Sequence, residues 1–231
     1  MRAVLLGLIL LFFAGAAVAG AWPRGRGEAF LSFSQSVSSG TPALLAPDLS
    51  FRSQTSVYAE YGLTERLTLG FDGAYGWGPE ADLWTGLAFA RWPLAETAAG
   101  DRFAVDVGLG RRVDSEDGSD TRARLGLAWG RGFEITWGQG WMGVESSAER
   151  LIPANDSLYK ADFTIGLKPD DDWMLIFQVQ GGLYPKADPL VRIAPSLVRR
   201  LGRHVHAQLG VDTTVTGERS YGVKLSTWLS F

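Results

Sequence analysis

The sequence predicts an all-β chain: a single transmembrane up-and-down antiparallel β-barrel of about twelve strands, with ten to fourteen possible. Three observations point there. Beyond the first twenty-one residues helical periodicity is nearly absent, and short stretches alternate apolar and polar with a period of two. One face of these stretches is almost free of charge, while the other carries charges of both signs. The links between stretches fall alternately into a tight class and a longer class, as in a meander that keeps returning to the same two rims.

The first element is not part of the barrel. Met1 and Arg2 give a positive start, Ala3 to Phe13 is an unbroken small or apolar run, and Ala17-Val18-Ala19 makes an A-x-A site. That run is of signal-peptide length and too short for a membrane helix. Cleavage is expected before Gly20 or after Ala21, so 1–21 is assigned to an export signal and 22–231 to one barrel domain. No Cys lies near the junction, which excludes a lipid anchor, and none lies elsewhere, which excludes disulfides. Loss of Arg2 with the leader moves the net charge from −3 to −4, and this mild acidity argues against nucleic acid as a partner.

Strands are expected at 28–38, 51–62, 66–78, 82–93, 102–112, 121–131, 133–145, 157–168, 173–184, 190–200, 204–215 and 219–231. Tight links are Gly62-Leu63-Thr64-Glu65, Gly130-Arg131-Gly132, Pro169 to Asp172 and Leu201-Gly202-Arg203, with a longer small and polar one at 94–101. The other class comprises 39–50, 79–81, Val113 to Asp120, Ser146 to Asp156, 185–189 and 216–218.

Each strand is justified by its faces. The third presents Leu67, Leu69, Phe71, Tyr75 and Trp77; the fifth Phe103, Val105, Val107 and Leu109; the sixth Leu125, Leu127 and Trp129. The seventh presents Phe133, Ile135, Trp137 and Trp141; the eighth Tyr159, Phe163, Ile165 and Leu167. The ninth presents Trp173, Leu175, Phe177, Val179 and Leu183, and the eleventh Val205, Leu209 and Val211. The fourth and tenth alternate poorly. Opposite the apolar set lie the candidate lumen-lining residues Asp72, Asp106, Arg122, Arg124, Glu134, Lys160, Asp162, Arg192, His206, Asp212 and Lys224. A charge at the lipid midplane costs about 2–4 kcal/mol and little at the interfaces, so the outward exceptions Arg91 and Arg111 are expected near strand ends. Tyr61, Phe103, Trp129, Phe133, Trp173 and Phe231 lie beside short turns, and Trp77, Trp141, Tyr159 and Tyr221 beside loops. Amphipathic rings gather this way at two water–lipid boundaries.

The last strand carries a resemblance. Tyr221, Val223, Leu225, Thr227, Leu229 and Phe231 share one face, and the chain stops on the aromatic residue. This resembles the closing strand of bacterial outer-membrane β-barrel proteins. It implies location in the outer membrane of a Gram-negative bacterium, contact with outer-membrane lipids, and recognition of Tyr221 to Phe231 by the barrel-assembly machinery.

No catalytic, cofactor or metal set is read. His204 and His206 share a face, but two ligands do not make a metal site, and the nearest acid there is Asp212. Barrel lipid-modifying enzymes place a His, a Ser and an Asn or acid near the outer, lipid-facing rim, and no His-x-Ser occurs here. Asp114 to Asp120 is acidic without the spacing of a helix–loop–helix calcium site. Gly70, Gly108, Gly126, Gly166 and Gly210 recur inward near mid-strand, either relieving crowding or leaving the lumen open. The expectation is therefore a non-enzymatic, narrow pore for small polar solutes. A closed structural, adhesion or assembly barrel acting through its outer loops is the alternative, and a lipid-modifying enzyme stands behind both.

Overall fold

The computed structural model describes residues 20–40, 51–78, 82–116, 118–185 and 187–231. The leader up to Ala19 and most of the expected 39–50 loop lie outside these residues. Twelve strands close into one antiparallel barrel in sequence order, with β1 joined to β12. They are β1 Ala29–Ser39, β2 Arg52–Thr64, β3 Leu67–Trp77, β4 Leu83–Glu96, β5 Asp101–Asp114 and β6 Gly118–Ile135. β7 Gly138–Ile152, β8 Ser157–Lys168, β9 Trp173–Leu183, β10 Leu190–Arg200, β11 Val205–Thr216 and β12 Tyr221–Ser230 complete the ring. The strand number and antiparallel closure agree with the sequence reading. Closure satisfies every ladder without leaving an edge, which is what a lipid environment demands of a sheet.

The β1–β12 seam is paired from Phe30↔Ser230 to Ser39↔Tyr221 without a register break. Past it, the Phe231 N–H donates to the Ala29 carbonyl at 2.9 Å, and the Phe231 ring stacks on His204 at 5.7 Å. Outward positions are apolar and exposed, among them Leu69, Phe71, Leu109, Leu125, Leu175, Leu209 and Leu225. Tyr61, Phe103 and Phe231 are exposed beside the turns, with Trp77, Tyr159 and Tyr221 beside the loops.

Two expectations fail, one around β6 and one on β4. The tight turn is Thr136-Trp137, not Gly130-Arg131-Gly132, and β6 runs straight through those glycines. Gly130 looks like a turn residue but serves close approach, because a Cβ there would collide with the Trp22 ring. The expected 133–145 strand is therefore split between β6 and β7, and the expected long Ser146–Asp156 loop shrinks to four residues, Pro153 to Asp156. A two-residue turn pairs Ile135 with Gly138, so outward positions change from odd numbers on β6 to even numbers on β7. Trp141, expected outward, consequently faces the lumen and is buried. The second failure is on β4. Arg91 is not a snorkelling outward residue; it pairs across from Thr68 and Asp106 and is 4% exposed inside the barrel. Arg111 does point outward and is exposed.

Candidate functional site: the lumen

The bore is layered. Toward the rim that holds the chain ends, Phe30, Trp141, Met174, Ile176, Val198 and Trp228 form a buried apolar cluster, joined by Trp22 and Tyr58. The rings pack edge-on, with Phe30 6.4 Å from Tyr58 and 6.0 Å from Trp228. Inward glycines are seats for bulky neighbours on the adjacent strand. Phe89 lies over Gly70 and Trp141 over Gly166, each so close that no Cβ fits, and Asp106 occupies the space above Gly126 in the same way. At Gly70, Gly126 and Gly166 the space of the missing side chain is filled by a neighbouring strand, which is relief of crowding.

Residues 20–24, ahead of β1, lie inside the barrel, and 25–27 turn at its rim, where Arg26 and Gly27 are exposed. The Gly27 N–H donates to the Gly62 carbonyl at 2.8 Å, and the Arg24 N–H to Thr68 Oγ1 at 3.1 Å. From the β2–β3 wall the segment strides across to β5 and β6, where Ala21 packs with Ala104 and Ala128 and Trp22 covers Gly130. Gly20 ends against the Glu145 side chain. Small residues on β5 to β7 make room for this crossing, a role that period-two reading cannot separate from turn propensity.

Beside the apolar cluster, on the β2 to β7 side of the bore, is a charge lattice centred on Glu60, whose side chain is fully buried and which pairs in register with Phe30. It accepts from Arg24 Nε at 2.7 Å, Arg91 Nη1 at 2.5 Å and the Tyr58 hydroxyl at 2.6 Å. Asp106 takes Arg124 at 2.8 Å and lies 4.0 Å from Arg91 Nε. Arg91 and Arg124 both stand over the Phe89 ring, at 5.1 and 4.8 Å. Arg122 and Glu149 form a buried fork with contacts of 2.7 and 2.9 Å. Between these groups lies a cavity of about 170 Å³ lined by Tyr58, Asp72, Arg91, Asp106, Arg124, Glu145, Lys160 and Asp162. Buried charges tolerate this setting only when paired and hydrogen-bonded, which fixes the lattice geometrically.

Of the residues singled out from sequence, Asp72, Asp106, Arg124, Lys160 and Asp162 meet at this cavity, with Arg122 beside it through Glu149. Arg192 and Asp212 approach to 3.4 Å on the β10–β11 wall, and Lys224 lies opposite Gly210 on β12. His206 is apart, opposite Arg200 and Trp228. Glu134 is exposed near the Thr136-Trp137 turn, opposite Gln139. His204 offers Nδ1 to the Ser230 carbonyl at 2.7 Å, and Asp114 of the acidic loop pairs with Arg112 at 2.9 Å. Sequence reasoning missed Glu60, Arg24, Glu145 and Glu149. Glu60 alternates with outward Tyr61 and was legible by parity; Glu145 and Glu149 were hidden by the misplaced turn, and Arg24 by its position before the first strand.

No family model matches the chain, and no curated protein is similar to it at the level of sequence. Solved structures are similar in fold. The COG4313 outer membrane channel from Pseudomonas putida F1 superposes with a TM-score of 0.64 at 11% identity, covering 94% of this chain and all of that one. The KdgM porin gives 0.56 at 9% identity, covering 87% and 99%. The β domain of the Bordetella autotransporter BrkA gives 0.52 at 12% identity, covering 89% and 99%. At such identities the likeness is one of architecture: the chain has the fold of bacterial outer-membrane barrels.

Proposed function

We propose that this protein is an outer-membrane channel of narrow bore that passes small polar solutes across the envelope of a Gram-negative bacterium. The carrying observation is the 170 Å³ cavity of mixed charge at the centre of an apolar-walled barrel. Desolvated charges of both signs, held rigid by ion pairs, select for polar solutes by replacing part of their hydration. Asp72, Asp106, Arg122, Arg124, Lys160 and Asp162 act as the selectivity lining, with Glu134, Arg192, His206, Asp212 and Lys224 along the approaches. Segment 22–27, the part of the crossing that follows the leader, sets the constriction. KdgM, which shares the fold, has been solved with oligogalacturonate, a polar and anionic solute; a strand-lined bore of this kind suits that broad class. Export by the leader at 1–21 and recognition of Tyr221 to Phe231 by the assembly machinery complete the reading.

The experiment is planar-bilayer recording of purified protein. The full chain is expected to conduct weakly, and Trp22→Ala with Arg24→Ala to conduct several-fold more because the crossing segment loses both its anchors. Silence from both proteins would overturn the channel. The buried apolar layer favours a second reading, a closed barrel acting through its outer loops. On that reading both proteins stay silent, and shortening 41–50 impairs surface binding or envelope integrity.

A further inference from the structure

The lipid-facing wall carries a feature unrelated to the lumen. On β6, β7 and β8, Ala123 and Ala148 floor an outward groove of about 350 Å³, flanked by Leu125 and Tyr159 and topped by Arg150. Arg150 donates to Ser157 Oγ at 2.8 Å and to Asn155 Oδ1. Across β6, Arg111 also points outward and donates to Ser119 Oγ at 2.8 Å. Among the described residues both arginines have neutral partners only, on a wall otherwise almost free of charge. The register sets Ala123 opposite Arg150 and Thr121 opposite Arg111, so the two guanidiniums flank β6 one row apart. Two strand spacings and the one-row offset separate their backbones by about 12 Å. Each leans toward its own neighbour, so they present two phosphate-sized positions and not one.

Both arginines stand at the loop rim, opposite the rim that holds the chain ends. In an outer-membrane barrel with both ends in the periplasm that is the outer leaflet. A cation on the lipid face is tolerated there, and a guanidinium fork matches phosphate oxygens in two-point fashion. Below Arg150 the groove runs along the strands to Ala148 and Tyr159, and the next outward pair on β7 and β8, Ser146 and Ala161, is small. Three rows of alternate residues cover about 13 Å, room for much of an acyl chain.

From this we propose a specific lipid site: a bisphosphorylated glycolipid of the outer leaflet sets one phosphate on Arg111 and one on Arg150, with an acyl chain in the Ala123–Ala148 groove. The site requires membrane insertion but not channel activity, so it stands or falls separately from conductance. The test is native mass spectrometry of delipidated protein in detergent, offered bisphosphorylated lipid A, monophosphorylated lipid A, cardiolipin or phosphatidylglycerol. Wild type is expected to retain the bisphosphorylated lipid about tenfold better than R111Q/R150Q, as loss of a charge-assisted contact implies. R199Q, an outward arginine 5.0 Å over Trp173 near the opposite rim, should bind like wild type. Ala148→Phe, which fills the groove and spares both arginines, should lose the lipid as well. Heat-modifiable gel mobility shows that each variant is a closed barrel. Equal retention by R111Q/R150Q or by Ala148→Phe, equal loss in R199Q, or equal binding of cardiolipin or phosphatidylglycerol would overturn the site.

Discussion

Glu60 receives three donors at once, and removing it strands the guanidiniums of Arg24 and Arg91 in a buried place. Breaking a buried pair by deleting one partner costs about 3–5 kcal/mol. Glu60→Ala is therefore expected to lower the midpoint of urea unfolding in micelles by that equivalent, with Glu60→Gln losing less because its carbonyl still accepts. The glycine seats give a sharper contrast. Gly70→Ala drives a methyl into the Phe89 ring and should cost about 1–3 kcal/mol by overpacking, while Gly132→Ala, whose Cβ would meet nothing closer than 3.9 Å, should be close to neutral. Parity along strands made much of this scale readable: Asp72, Asp106, Arg124, Lys160 and Asp162 were placed from alternation alone and gather at one cavity. Their partners were harder. Arg91 sits on a strand whose inner face carries Leu87 and Phe89 and whose outer face carries Trp84 and Trp92, so hydrophobicity gives no preferred side, and only a carboxylate from another strand reveals it.

Two elements depart from what pattern predicts, and both do so through contacts remote in sequence. The β6–β7 turn is set at Thr136-Trp137 because Gly130 is consumed by Trp22, a residue more than one hundred positions away. One shifted turn reverses the facing of β7, moving Trp141 into the apolar layer and Glu145 into the cavity. The 20–27 segment has no period at all, and its place follows from Arg24 finding Glu60 and Thr68. Relieving that anchor is expected to enlarge the bore with less damage than losing Glu60, because Arg91 and Tyr58 still satisfy the carboxylate. Arg24→Ala should then show higher single-channel conductance than the full chain while unfolding at a higher urea midpoint than Glu60→Ala. Equal conductance would mean that the segment does not limit passage.

At the scale of the whole molecule the sequence was most transparent. Strand count, antiparallel order and the greasy exterior follow from short-range alternation, because in lipid every backbone group must find a partner in a closed ring. What alternation cannot report is how full the ring is, since filling depends on which inward side chains meet across it. The final strand ties the ring shut through Phe231, whose backbone bonds Ala29 and whose ring lies on His204. Deleting Phe231 is expected to reduce the heat-modifiable, folded fraction recovered in envelopes several-fold, while His204→Ala should leave assembly intact if the terminal residue is read by the assembly machinery and not merely packed. The unbroken ladder from Phe30↔Ser230 to Ser39↔Tyr221 has one more result. The first and last staves leave no hatch into the surrounding bilayer, so a greasy molecule within the barrel would find no doorway at that join.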